Sequence, residues 1–179
     1  MHRGVEIRTS SIMESYRHRE LPSTLYRVHH PGAQASYSDD YGFNAASNFL
    51  PLYLTGLQDA VGNHLDWEHR RFTSPFISTF DNKQHAVRWA QRWYENNDDN
   101  DEMCYIMEIN IEEENEDDVI AFRVTELVNR LGLSIPWLKP SQYRSEYLFY
   151  RQIPSKVIVD VEPVRPGTNS EHSLYRQSY

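Results

Sequence analysis

Apolar and polar positions change period several times along this chain, and each change marks an element. The run "TLYRVHH" predicts a strand over Thr24–His29. "AASNFLPLYLTGLQDAVGNHL" is helical in composition, with Pro51 expected to start or kink the helix. "RRFTSPFISTF" reads as a second strand ending in a turn. In "FDNKQHAVRWAQRWYENN", Ala86, Trp89, Ala90 and Trp93 recur at i, i+3, i+4 and i+7, which predicts a helix packed through its tryptophan face and capped by Thr79 or Asp81. "EMCYIMEINI" alternates, placing Met103, Tyr105, Met107 and Ile109 on one buried face. "RVTELVNRLGL" is a short helix ending near Gly132, and "SIPWLKPSQYRS" is a loop. A strand starting at Glu146 and a last one in "KVIVDVEPV" finish the sheet. This succession predicts an α+β fold with short, mainly antiparallel strands and helices between them. Residues 1–20 and 165–179 lack periodicity and are expected to be a flexible arm, or a short helix, and a flexible tail. A single domain over residues 21–164 remains.

Charge changes this picture little. The chain of 179 residues carries a formal charge of -8, and 12 of its 26 acidic residues lie between Glu95 and Asp118, where there is no Lys or Arg. The other 14 face 18 basic residues, so the rest of the surface is mildly cationic and suits an anionic ligand, while the total argues against nucleic-acid binding as the main task. The runs "ENNDDNDE" and "EEENEDD" read as solvated loops, because neither has the alternation and central glycine of a calcium loop. One cysteine, Cys104, excludes an intramolecular disulfide and reads as a buried small side chain. With no signal-like leader and no apolar run long enough to span a bilayer, an intracellular protein, cytoplasmic or nuclear, is expected.

Several chemistries are poorly supported. The 7 glycines form neither a dinucleotide fingerprint nor a phosphate loop, no nucleophile elbow appears, and "HLDWEH" has the wrong spacing for a helical zinc site, so no metal is expected. Three other elements stand out: Arg27 in "LYR", Ser78 and Thr79 in "FISTF", and Glu146 opening "SEYLFYRQIP". Singly, Arg27 reads as a surface cation or ion-pair partner, the Ser-Thr pair as a helix cap, and Glu146 as an acidic strand start.

Together they resemble the ADP-ribosyltransferase fold, in the branch that carries an Arg, a Ser-Thr motif and a Glu on successive strands of a split antiparallel core. Cholera toxin, heat-labile enterotoxin and fungal relatives of the enterotoxin domain belong to that branch. Leu25-Tyr26-Arg27 matches its opening strand, and Ser78-Thr79 matches its strand before a helix. Glu146 is followed seven and eight positions later by Ile153 and Pro154, the family's own offset. The likeness covers roughly residues 22–162. It implies NAD as substrate, with Glu146 stabilising charge on the ribose and Arg27 holding a phosphate or ribose. It further implies that Ser78 orients Glu146 or the nicotinamide ribose, that Thr79 supports the strand end, and that Phe80 walls the pocket or joins the core. Trp137, Tyr143 and Arg144 would face the acceptor. Arginine-modifying members carry a carboxylate two residues before the catalytic Glu, where this chain has Arg144, and a cation repels an incoming guanidinium. The implied activity is transfer of ADP-ribose to a non-arginine acceptor, such as a protein, or to water. The alternative is a catalytically inactive interaction module on the same fold.

Overall fold

The computed structural model describes residues 10–66, 72–97, 103–112 and 119–166. Most of both acidic runs and the tail beyond residue 166 lie outside the described residues. Strands β1 (Thr24–His29), β4 (Phe76–Phe80), β5 (Cys104–Asn110), β6 (Ala121–Arg123), β7 (Glu146–Tyr150) and β9 (Ile158–Val164) form a six-stranded sheet in the order β6-β7-β4-β1-β5-β9. Strands β2 (Ser36–Ser38), β3 (Gly42–Asn44) and β8 (Gln152–Ile153) form a second, three-stranded sheet. Every pairing in both is antiparallel. Helices α1 (Ser11–Tyr16), α2 (Leu54–Leu65), α3 (Lys83–Glu95), α4 (Val124–Leu131) and the single turn α5 (Pro140–Tyr143) complete the α+β architecture.

Three apolar clusters explain the layering. Met13 of α1, Leu57, Val61 and Leu65 of α2, and Leu127 and Leu131 of α4 pack on Phe76, Leu148 and Tyr150, covering the β7-β4 half of one sheet face. Ala86, Ala90 and Tyr94 of α3 cover Val28, Cys104 and Ile106 on the β1-β5 half of that face. Leu25, Ile77, Met107 and Phe149 point the other way, against Phe43 and Ile153 of the small sheet. Strand β7 is buried at all five positions, which is why its apolar run does not alternate.

The register contains an interruption. Strand β1 pairs with β5 from Thr24–Asn110 to His29–Tyr105 but meets β4 only where Tyr26 faces Phe80. Beyond that row the two strands part, and a cleft opens on the helical face between α2 and α3. Two left-handed residues hold the small sheet in place. Gly42 has φ +80°, and a Cβ there would lie 2.2 Å from the Ile153 carbonyl oxygen. Arg151, at φ 66°, steps the chain from β7 to β8 while its N–H donates to the Pro75 carbonyl at 2.8 Å.

Several sequence expectations need correction. The residues around Pro51 belong to no helix, and α2 starts only at Leu54; the local carbonyls are taken, Pro51 O accepting from Ser10 Oγ and Phe49 O from Tyr150 Oη. Asn82 caps α3 by accepting from His85 N at 3.0 Å. Thr79 instead belongs to β4, where its hydroxyl donates to Tyr147 O, and Asp81 follows that strand with its N–H donating to Ser145 O, so the cap of α3 falls one residue after it. Strand β5 is covered on both faces, Cys104 and Ile106 under α3, Met107 and Ile109 in the core between the sheets. Of the two readings for residues 1–20, a flexible arm or a short helix, the described part holds the helix: α1, capped by Ser10 and docked through the fully buried Met13.

Candidate active site

The cleft between α2 and α3 has a volume of about 830 Å³ and is lined by Arg27, His64, Ser78, Phe80 and Glu146, with Trp89, Trp93 and His30 along α3 and the loop after β1. Its size falls within the roughly 300–1,000 Å³ common for small-molecule sites. Arg27, Ser78 and Glu146 come from β1, β4 and β7, three neighbouring strands, and the parting of β1 from β4 makes room for their side chains.

Glu146 lies opposite Phe80 in the register, on the same sheet face as Leu148 and Tyr150. It stands where the apolar covering of that face ends and the cleft begins. Only 2 % exposed, its carboxyl is pushed up to about 7 by burial, against the opposing pull of a Ser78 hydrogen bond and the Arg27 charge. Arg27 donates from Nη1 to Ser78 O at 2.9 Å, a carbonyl that β1 leaves unclaimed when it departs from β4. Burial lowers the Arg27 guanidinium to about 10, with Glu146 pulling the other way. Its Nε is buried and has no partner among the described residues. A buried guanidinium donor without a partner, beside a cleft of this size, suits an anionic, hydroxyl-rich ligand.

His64, on α2, was not anticipated from the sequence. Its Nε2 lies 2.8 Å from Ser78 Oγ and its Nδ1 2.5 Å from Ser74 Oγ. Burial, aided by the Arg27 charge, lowers it to about 3, so the ring is neutral and carries one proton. Ser78 has one proton to give and it goes to the Glu146 carboxylate, so Ser78 Oγ accepts from His64 Nε2–H. His64 Nδ1 then accepts from Ser74, whose oxygen also receives the Phe76 N–H at 3.0 Å. The chain Ser74, His64, Ser78, Glu146 aims every donor toward the carboxylate. No spacing signal in the sequence marks His64, and residues 67–71 that follow lie outside the described residues.

The remaining predicted residues divide. Thr79, fully buried, locks β4 to β7 through Tyr147 O at 3.2 Å. Phe80 both lines the cleft and joins the α3 core, its ring 4.7 Å from that of His85. Trp137, Tyr143 and Arg144 do not line the cleft. Trp137 is half-exposed and its indole N–H donates to Leu65 O at 3.0 Å, Tyr143 packs on the α2-α4 cluster, and Arg144 is exposed at the end of α5. Arg144 acts on Asp81 and His85, while among the described residues the cation acting on Glu146 is Arg27. Among the described residues no three His, Cys, Asp or Glu side chains are grouped to hold a metal ion, and no helix is long and apolar enough to cross a membrane.

The sequence model of the family described as "Domain of unknown function (DUF7587)" matches residues 20–165. The chain belongs to the DUF7587 family. The matched span of this DUF7587 chain holds the entire cleft, whereas α1 lies outside it. Among solved structures it is similar to EcPltA, a pertussis-like ADP-ribosyltransferase toxin subunit, with a TM-score of 0.54 and 16% identity over 79% of this chain and 75% of that one. At that identity the likeness speaks for the fold, which is ADP-ribosyltransferase-like. No curated protein sequence matches the chain.

Proposed function

We propose that this domain takes NAD into the cleft and cleaves its nicotinamide glycosidic bond, passing ADP-ribose to a non-arginine acceptor or to water. One observation carries the reading: Arg27, His64, Ser78 and Glu146, from four separate elements, converge on one cleft with a buried guanidinium donor left over. When that bond breaks, the electron pair leaves with nicotinamide and positive charge develops on the ribose. Glu146, ionised and oriented by Ser78, accepts a hydrogen bond from a ribose hydroxyl and offsets that charge in a site where water does little screening. Arg27 holds a phosphate through its free donors, as a planar multi-donor cation does better than an ammonium. His64 keeps Ser78 pointed at Glu146 instead of at a backbone carbonyl. Arg144, two residues before Glu146, disfavours a guanidinium acceptor.

Nicotinamide release from NAD by wild type and by Glu146→Gln tests the reading. A loss of at least about 100-fold in kcat is expected, the usual order for removing a key electrostatic group. A variant that keeps the wild-type rate would sink the role of Glu146. The rival reading, an inactive interaction module, draws on Arg144 in place of a second carboxylate, and NAD binding with no nicotinamide release from wild type would favour it.

A further inference from the structure

The cleft extends well beyond the Glu146 row. Strand β1 runs from Tyr26, which faces Phe80, to His29, and His30 follows, so that His30 lies roughly 13 Å further along at about 3.3 Å per residue. There the wall becomes aromatic. Trp89 and Trp93, one turn apart on α3, present half-buried rings to the cleft, and the His30 ring lies 5.2 Å from each. A turn in which Ala33 N donates to His30 O, with Gly32 at φ +78°, sets His30 in that position. Burial pushes the His30 imidazole below its ordinary value, and Arg92 stands beside the two indoles as the cation at this end of the lining. At the rim, Asn96 and Asn97 each donate Nδ2 to a carbonyl of the last turns of α3, Arg92 O at 2.8 Å and Trp93 O at 2.7 Å. Their amide oxygens therefore remain acceptors at the cleft edge. Periodicity alone assigns the two tryptophans to the core. Ala86, Ala90 and Tyr94 are the buried part of that packing, while the partly buried indoles rest on the same cluster with one side and line the cleft with the other.

We infer that this end of the cleft is a purine-base subsite: His30, Trp89 and Trp93 supply the stacking wall, and Asn96 and Asn97 accept from the exocyclic amine of an adenine. The inference rests on the NAD reading above for the natural ligand, yet it concerns the end of the cleft remote from Glu146. A nucleotide placed this way has its base on the aromatic wall and its phosphate directed toward Arg27. Every base has a face that stacks, so the wall supplies affinity, and the acceptor rim supplies the preference for an amine over a carbonyl.

Calorimetric titration with AMP, IMP, nicotinamide mononucleotide and NAD tests this on the purified protein. Trp93→Leu is expected to weaken AMP and NAD about 5- to 150-fold, the range for losing one stacked base, while nicotinamide mononucleotide changes less than about twofold. Trp93→Phe restores most of the AMP affinity, and wild type prefers AMP to IMP. Thermal melts check that both variants are folded. If AMP affinity is unchanged in a folded Trp93→Leu protein that still cleaves NAD, the base subsite is overturned and the NAD reading stands. Absence of AMP binding to wild type also overturns it. Conversely, AMP binding that depends on Trp93 in a protein that releases no nicotinamide supports the subsite and sinks the cleavage reading.

Discussion

Glu146 is subject to opposing demands: the pocket that makes its carboxylate useful also makes its charge costly. Its proton leaves near pH 7, so kcat/KM for NAD cleavage is expected to rise tenfold per pH unit up to about 7 and then level off. His64, held near 3, stays neutral throughout that range, and Arg27 begins to lose its proton only near 10. A pH–rate profile with its acidic limb near 4 would assign the limb to another group. Stability follows with the opposite sign. The folded carboxyl sits above its unfolded value of 4.5, so the native state binds that proton more tightly. The associated stability is complete below about 4.5 and is lost as pH rises through about 7. Glu146→Gln should therefore be more stable than wild type at pH 8, by roughly 1–3 kcal/mol, and close to it at pH 5, as urea denaturation would measure. Equal stability at both would show that the charge is not buried. Arg27, Ser78 and Glu146 were legible in the sequence only together, because three short motifs on β1, β4 and β7 follow one another in the order of a known family. His64 was not, since its role depends on how α2 leans over β4, a tertiary fact with no local pattern.

At the level of elements, Gly42 fixes where the small sheet lies. An alanine there would place Cβ 2.2 Å from Ile153 O and 2.6 Å from Ser155 N, both backbone atoms that cannot swing aside. Gly42→Ala is expected to destabilise the fold by at least about 2 kcal/mol, seen as a lower urea midpoint. A wild-type midpoint would mean that β3 does not press on the Ile153-Pro154 segment. The same segment supplies the Ile-Pro offset after Glu146, so that offset has a structural cause: the chain must turn through Arg151 into β8 to pair with β3. The elements were readable where one face alone is covered, as in α4 and its Gly132 cap at φ +62°. Reading failed where two faces are covered. Strand β5 alternates between two cores, and the α3 indoles, packed on the core as their period predicts, also line the cleft, a second contact that helical period does not encode.

For the whole molecule, ligand occupancy should register in stability. NAD at about 100 times its Kd is expected to stabilise the fold by about 2.7 kcal/mol, visible as a higher Tm, with Arg27→Ala abolishing the shift. A rise in Tm that persists in Arg27→Ala would place the ligand elsewhere. The arrangement of the sheet gives that shift a mechanical meaning. Strand β1, with α3, β5 and β9, makes one plate; β4, β7 and β6, with α2 and α4, make the other. A single backbone rung, Tyr26 to Phe80, joins the plates within the sheet. Arg27 and the indoles ride on the first plate, Ser78, His64 and Glu146 on the second. A dinucleotide lying between them is a splint across the seam, adding stiffness where the ladder of hydrogen bonds stops.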